Sequence, residues 1–111
     1  MRLARPRLLL ALLVSLSLAS FPTLRAQGTR MHTVDITGFK FVPDVVQARA
    51  GDRIVFINKD IVPHTATMKP KGWDSGTLTK GKSWAVTIER PGSFDYFCRF
   101  HPNMTARIIV E

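Results

Sequence analysis

The sequence predicts an all-β domain, a sandwich or barrel of short strands. Three observations carry this. Short segments alternate apolar and polar residues, Gly, Pro and Asp punctuate them at fairly even spacing, and no stretch after residue 30 holds a helical period over a helix's length.

The elements follow in order. Met31 to Thr37 alternates and sets His32, Val34 and Ile36 on one face. Gly38 to Pro43 is a bend carrying Phe39 and Phe41, and Val45-Val46 opens another strand. Ala50-Gly51-Asp52 is a turn signal before the apolar run Arg53-Ile54-Val55-Phe56-Ile57, which Asn58-Lys59-Asp60 ends. Residues 65–68 are short and compatible with a strand, and Lys69 to Gly76 reads as a loop. Trp84, Val86 and Ile88 share a face of the next strand. Arg90-Pro91-Gly92 turns the chain, Phe94, Tyr96 and Cys98 share a face, and Ala106, Ile108 and Val110 share a face of the last strand. There is no internal repeat and no low-complexity linker after residue 30.

Residues 1–26 stand apart and read as a secretory signal. Arg2, Arg5 and Arg7 precede an apolar run from Leu8 to Ala19, shorter than the roughly 20 residues of a membrane span. Small residues then favour cleavage after Ala19 or after Ala26, and an uncleaved anchor is the alternative. The expected domain is 27–111, exported to the periplasm, with no membrane span once the signal is removed.

This division reinterprets the charge. The whole chain carries +8, but Arg2, Arg5, Arg7 and Arg25 lie in the leader and no acidic residue does, so residues 27–111 carry +4. No dense Lys/Arg run remains, and nucleic-acid binding is not expected. A domain this small has a limited core. With a single Cys it cannot close an internal disulfide, so a metal is the expected reinforcement.

The residues for one lie in Cys98-Arg99-Phe100-His101-Pro102-Asn103-Met104, on the expected loop between the last two strands. A second imidazole, His64, follows Pro63 on an upstream loop. One thiolate, two imidazoles and a weak thioether suit an ion cycling between Cu(I) and Cu(II). The soft sulfurs favour Cu(I), and imidazole accepts both states. One tight loop cannot surround an ion, so a donor from a second loop is needed. Taken singly, each residue has a plainer reading: Cys98 as a small buried hydrophobe, His64 as a solvated or hydrogen-bonded side chain, Met104 as core filler. Their joint placement favours one copper ion held by His64, Cys98, His101 and Met104. Zinc is the chemical alternative, although Met ligates it poorly. His32 reads as structural, with nothing to pair with it.

Further motifs accompany these donors: Gly51-Asp52 before an apolar strand, Asn58, Val62-Pro63-His64-Thr65-Ala66-Thr67, Asp74-Ser75-Gly76, and Pro91 to Cys98 leading to His101 and Met104. Together they resemble a small blue-copper cupredoxin of the plastocyanin and amicyanin type over residues 31–111. The short ligand loop is more similar to that of amicyanin. The resemblance implies an eight-stranded Greek-key sandwich, His64, Cys98 and His101 as equatorial ligands and Met104 as the long axial one. It also implies a His101 ring edge at the surface among Pro63, Phe100, Pro102 and Asn103. In one departure, Thr65 stands where these families usually carry Asn, which puts in question the side-chain bond joining the two ligand loops.

The expected function is shuttling single electrons between redox partners, such as a cytochrome or a dehydrogenase, by a monomer. Lys59, Lys69, Lys71 and Arg99 would favour an acidic partner. A copper delivery or storage protein is the alternative, weakened by the scarcity of further Met and His. An enzyme is not expected. The three His leave no set for a second copper, and no Ser-His-Asp pattern, HExxH or phosphate loop occurs.

Overall fold

Two four-stranded sheets face each other. The computed structural model describes residues 2–6, 8–22 and 28–111. Eight strands are formed among them: β1 (Met31–Thr37), β2 (Lys40–Val42), β3 (Val45–Ala48), β4 (Asp52–Asn58), β5 (Thr67–Met68), β6 (Ser83–Ile88), β7 (Gly92–Cys98) and β8 (His101–Val110). One sheet runs β2-β1-β4-β6 and the other β3-β8-β7-β5. The pairs β1–β4 and β3–β8 are parallel and the rest antiparallel. The chain crosses between sheets at most connections, as a sandwich with parallel neighbours requires.

Alternation in sequence becomes the core. Val34 and Ile36 of β1, Ile54 and Phe56 of β4, Ile88 of β6, Tyr96 and Cys98 of β7, and Ile108 and Val110 of β8 are buried together. Phe56 and Tyr96 are fully buried, 5.3 Å apart edge to face, with Phe41 against Tyr96 and the half-buried Trp73 and Trp84 outside Phe56. Tyr96 Oη is buried with no hydrogen-bond partner among the described residues. Burial first, and then the charge of Asp44, holds the phenol far above its ordinary pKa.

The expected strands at 31–37 and 83–88 are present. Two regions differ from expectation. The bend at Gly38 is a hairpin turn between β1 and β2, with φ of 59° at Gly38 and 60° at Phe39. Glycine adopts that value freely, but an L side chain at φ +60° costs about 1–2 kcal/mol. The last strand begins at His101 rather than near Ala106. Pro102 and Asn103 are poor strand formers and conceal its start in the sequence. Met104 shares the buried parity of Ala106, Ile108 and Val110.

The sandwich has two distinct poles. At one lie the Gly38–Phe39 turn, the end of β4 at Asn58 and the Cys98–His101 turn. At the other lie Arg30, Asp52 and Glu111. Here Asp52 is buried and accepts the N–H of Arg30 at 3.0 Å, the N–H of Arg49 at 2.9 Å and His32 Nε2 at 2.8 Å. His32 is therefore structural, as expected, but it does have a partner. Ala50 N–H donates to Glu111 O at 3.1 Å and closes this pole.

Residues 8–22 carry no regular secondary structure. Among the described residues no helix is long and apolar enough to cross a membrane. Arg7, Arg25 and the cleavage position after Ala26 lie outside the described residues.

Candidate metal centre

Three of the four expected donors converge at the first pole. β7 ends at Cys98, and Arg99-Phe100 turns the chain directly into His101, which pairs with Cys98. The β7–β8 register breaks at this point: beyond Phe97 opposite Thr105, the residues 102–104 have no partner in β7. This bulge lets Cys98 and His101 face one centre. Cys98 Sγ lies 3.8 Å from His101 Nδ1 and 3.7 Å from His64 Nδ1, and the three donor atoms lie within 4.8 Å of one another.

The two sulfur–nitrogen separations fit a single ion. With bonds of about 2.0–2.3 Å, donors on one first-row metal can stand up to about 4.4 Å apart. Cys98 and His64 are fully buried and His101 partly so, which makes the centre dry on its inner side and open toward solvent at His101. Met104 is also buried in the core cluster with Cys98. Cys98 is a free thiol with no disulfide partner.

His64 is held from several directions. Its backbone pairs with Leu78, N–H to O at 3.1 Å and O from N–H at 2.8 Å. Asn58 fixes the preceding loop: its amide donates to Val62 O at 2.9 Å and Leu78 O at 2.7 Å, and its Oδ1 accepts the N–H of Asp60 at 2.9 Å. Ser75 supports the following segment, its Oγ accepting Ala66 N–H at 2.8 Å. Asn58 and Ser75, conspicuous in the sequence, thus act as buttresses of the His64 loop.

The His64 ring is oriented by Asp60, whose Oδ2 lies 2.8 Å from Nε2. With the proton on Nε2 and donated to Asp60, Nδ1 presents its lone pair toward Cys98, the usual outer-shell arrangement of a ligating imidazole. Partial burial pushes the Asp60 carboxyl upward, but the N–H of Phe39, the His64 ring and the N–H of Gly38 outweigh it and hold the pKa below the ordinary value.

Thr65 resolves the departure noted above. Its N–H donates to Cys98 Sγ at 3.4 Å, and its Oγ1 accepts the N–H of Arg99 at 2.9 Å and pairs with Thr67 Oγ1 at 2.9 Å. The bond between the two ligand loops is made, by a hydroxyl.

Two residues near the centre were not legible from the sequence. Asp60 accepts the N–H groups of Gly38 at 2.7 Å and Phe39 at 3.0 Å as well as bonding His64. Phe39 sets its ring edge-on to His64 at 5.3 Å and to His101 at 4.9 Å. The one available signal was an aspartate four residues before a candidate ligand. Nothing local announces Phe39.

Of the four expected basic residues, two already have partners. Lys59 pairs with Asp35 at 3.0 Å and Arg99 with Asp74 at 2.9 Å, while Lys69 lies over the Phe97 ring at 4.7 Å. The cleft at His101 is mostly apolar: exposed Phe39, Phe100 and Pro102 line it with Asn103.

A two-sheet β-sandwich with a buried cysteine sulfur between two imidazoles at one pole, and a methionine buried in the same core, defines the class of the small blue-copper proteins. Comparison with known proteins agrees. The family model for a cupredoxin-like domain matches residues 8–110, and the chain belongs to that family. It is 33% identical over 84 residues to amicyanin of Paracoccus versutus, covering 70% of this chain and 63% of that one. It is 28% identical over 86 residues to the chloroplastic plastocyanin of Fritillaria agrestis, covering 64% and 52%. The chain thus spans less than two thirds of either relative's length. The crystal structure of amicyanin from Paracoccus versutus superposes with a TM-score of 0.69 at 30% identity, over 73% of this chain and 81% of that one. The cofactor implied is one copper ion, and the donor set fits it.

Proposed function

We propose that this protein is an exported single-electron carrier that works through one type 1 copper ion, with His64, Cys98 and His101 as equatorial ligands and Met104 as the axial one. The observation that carries the reading is the convergence of His64 Nδ1 and His101 Nδ1 on Cys98 Sγ at 3.7 and 3.8 Å in a pole packed by a core. When bound, copper supplies the one-electron Cu(I)/Cu(II) couple.

The chain supplies the rest. Asp60, Asn58 and the Thr65–Arg99 bond hold the donors in one arrangement, which keeps reorganisation between redox states small. The N–H of Thr65 directed at Cys98 Sγ stabilises charge on the thiolate. His101, partly exposed among apolar side chains, is the natural point of electron entry and exit, and a redox protein is the partner that such a surface fits. Similarity to amicyanins supports that class of partner and supports a carrier over an enzyme. An acidic partner would be steered by Lys69 and Lys71. Residues 1–26 serve as the export signal, cleaved after Ala19 or Ala26, and 27–111 is the working periplasmic domain.

The test is the visible spectrum of the Cu(II)-loaded protein. An intense thiolate-to-copper band is expected in the wild type and should be lost in Cys98→Ser. A colourless protein that takes up zinc in preference would refute the reading.

A further inference from the structure

Phe39 combines three features that the electron-carrier reading does not use. It is a non-glycine residue at φ 60°, it is half exposed, and its ring stands edge-on to both His64 and His101. Backbone strain of this kind persists only where the surroundings enforce it. Asp60 is that enforcement. One carboxylate takes the N–H groups of Gly38 and Phe39 and, on the same side chain, His64 Nε2.

Phe39 also lines two neighbouring surface clefts. One is lined by Phe39, Phe41, Val42, Asn103 and Met104 among others. The other is lined by Phe39, Phe100, His101, Pro102, Asn103 and Met104. Both reach Met104, and the second reaches His101. Phe39 is thus shared by two clefts that both reach Met104, beside the His101 ring.

We propose that Phe39 is the steric gate of this centre, excluding small anionic ligands of the azide or thiocyanate class from the His101–Met104 side, and that Asp60 is the positioning residue that locks it. This rests on the metal-centre reading above. A hydrocarbon ring is suited to the task, because it blocks approach without offering a donor of its own.

The test uses Phe39→Gly, because glycine accepts φ +60° without steric strain, with Phe39→Leu as the bulk-retaining control. Azide is titrated into the Cu(II)-loaded proteins. The spectrum of Phe39→Gly should shift at concentrations that leave wild type and Phe39→Leu unchanged. In a second arm, the metal-free proteins are treated with iodoacetamide, whose carbon takes the Cys98 sulfur as iodide leaves. Alkylation should be at least about tenfold faster in Phe39→Gly and near wild type in Phe39→Leu, at matched unfolding midpoints. Asp60→Ala should also speed it. Equal azide response or equal alkylation in wild type and Phe39→Gly overturns the gate. A wild type without a thiolate–copper band refutes the metal reading instead, and the alkylation arm then decides the gate alone.

Discussion

Thr65 Oγ1 accepts the backbone N–H of Arg99 at 2.9 Å, across 34 residues of sequence. The segment that follows His64 is thereby joined to the turn between Cys98 and His101. A threonine hydroxyl is shorter than an asparagine amide, and Thr67 Oγ1 at 2.9 Å completes its hydrogen bonding. Thr65→Val keeps the shape and removes the acceptor. The expected loss is about 1 kcal/mol in urea unfolding of the metal-free protein, with broadened Cu(II) spectral features as the loops separate. Thr65→Ser should retain both properties. A Thr65→Val protein as stable as wild type would show that the bond does not contribute.

The opposite pole contributes to the acid sensitivity of the fold. The backbone N–H of Arg49, then the His32 side chain and the N–H of Arg30, hold the Asp52 pKa down to about 2 from an ordinary 3.8. A carboxylate with a lowered folded-state pKa favours the fold above its unfolded pKa, and that contribution fades as pH falls from about 4 toward 2. Asp52→Asn should be less stable at neutral pH and lose less stability across that window. Thermal unfolding midpoints at several pH values read both effects. Parallel curves for the two proteins would contradict this account.

Met104 gives a prediction that separates ligation from packing. It sits at a buried β8 position beside the register break. Met104→Gln should retain copper and lower the reduction potential, since an amide oxygen favours Cu(II) more than a thioether does. Voltammetry measures it. An unchanged potential would make Met104 a core residue only.

Tyr96 offers a test of the core. Its hydroxyl is buried without a partner among the described residues. Removing an unsatisfied group should cost nothing, so Tyr96→Phe is expected to equal wild type or exceed it by up to about 1 kcal/mol in urea unfolding. A destabilised variant would reveal a bond to that hydroxyl.

Partner steering should be weak. Lys59 and Arg99 are neutralised by Asp35 and Asp74, which leaves Lys69 and Lys71 of the four basic residues first considered. Electron exchange with an acidic redox protein should fall only gently with added salt, and Lys71→Glu should slow it at low ionic strength alone. A steep salt dependence that survives Lys71→Glu would place the steering charges elsewhere.

Much of this molecule could be read in the chain, for identifiable reasons. β1, β6 and β7 were visible because apolar and polar residues alternate along them, and β4 because an apolar run follows a turn signal. His64, Cys98 and His101 were visible because their chemistry is rare in combination. The start of β8 was hidden by Pro102 and Asn103, which sit in a strand only because the bulge frees them from pairing. Phe39 and Asp60 were hidden because their bond spans 21 residues and depends on a backbone conformation that residue types do not announce. His32 and Asp52 were missed as a pair for the same reason of distance along the chain.

The parallel pairing of β1 with β4 fixes where the chain enters the domain. Met31 lies beside Arg53 and Ile36 beside Asn58, so residues before 31 depart from the pole of Asp52, and Glu111 ends at that same pole. Arg30 and Glu111 both lie at the pole opposite His101. A leash attached at either end, whether a retained leader, a fused enzyme or a linker to an electrode, would therefore leave the redox face outward and unhindered, so that immobilising the protein by its tails should not slow electron exchange at its head.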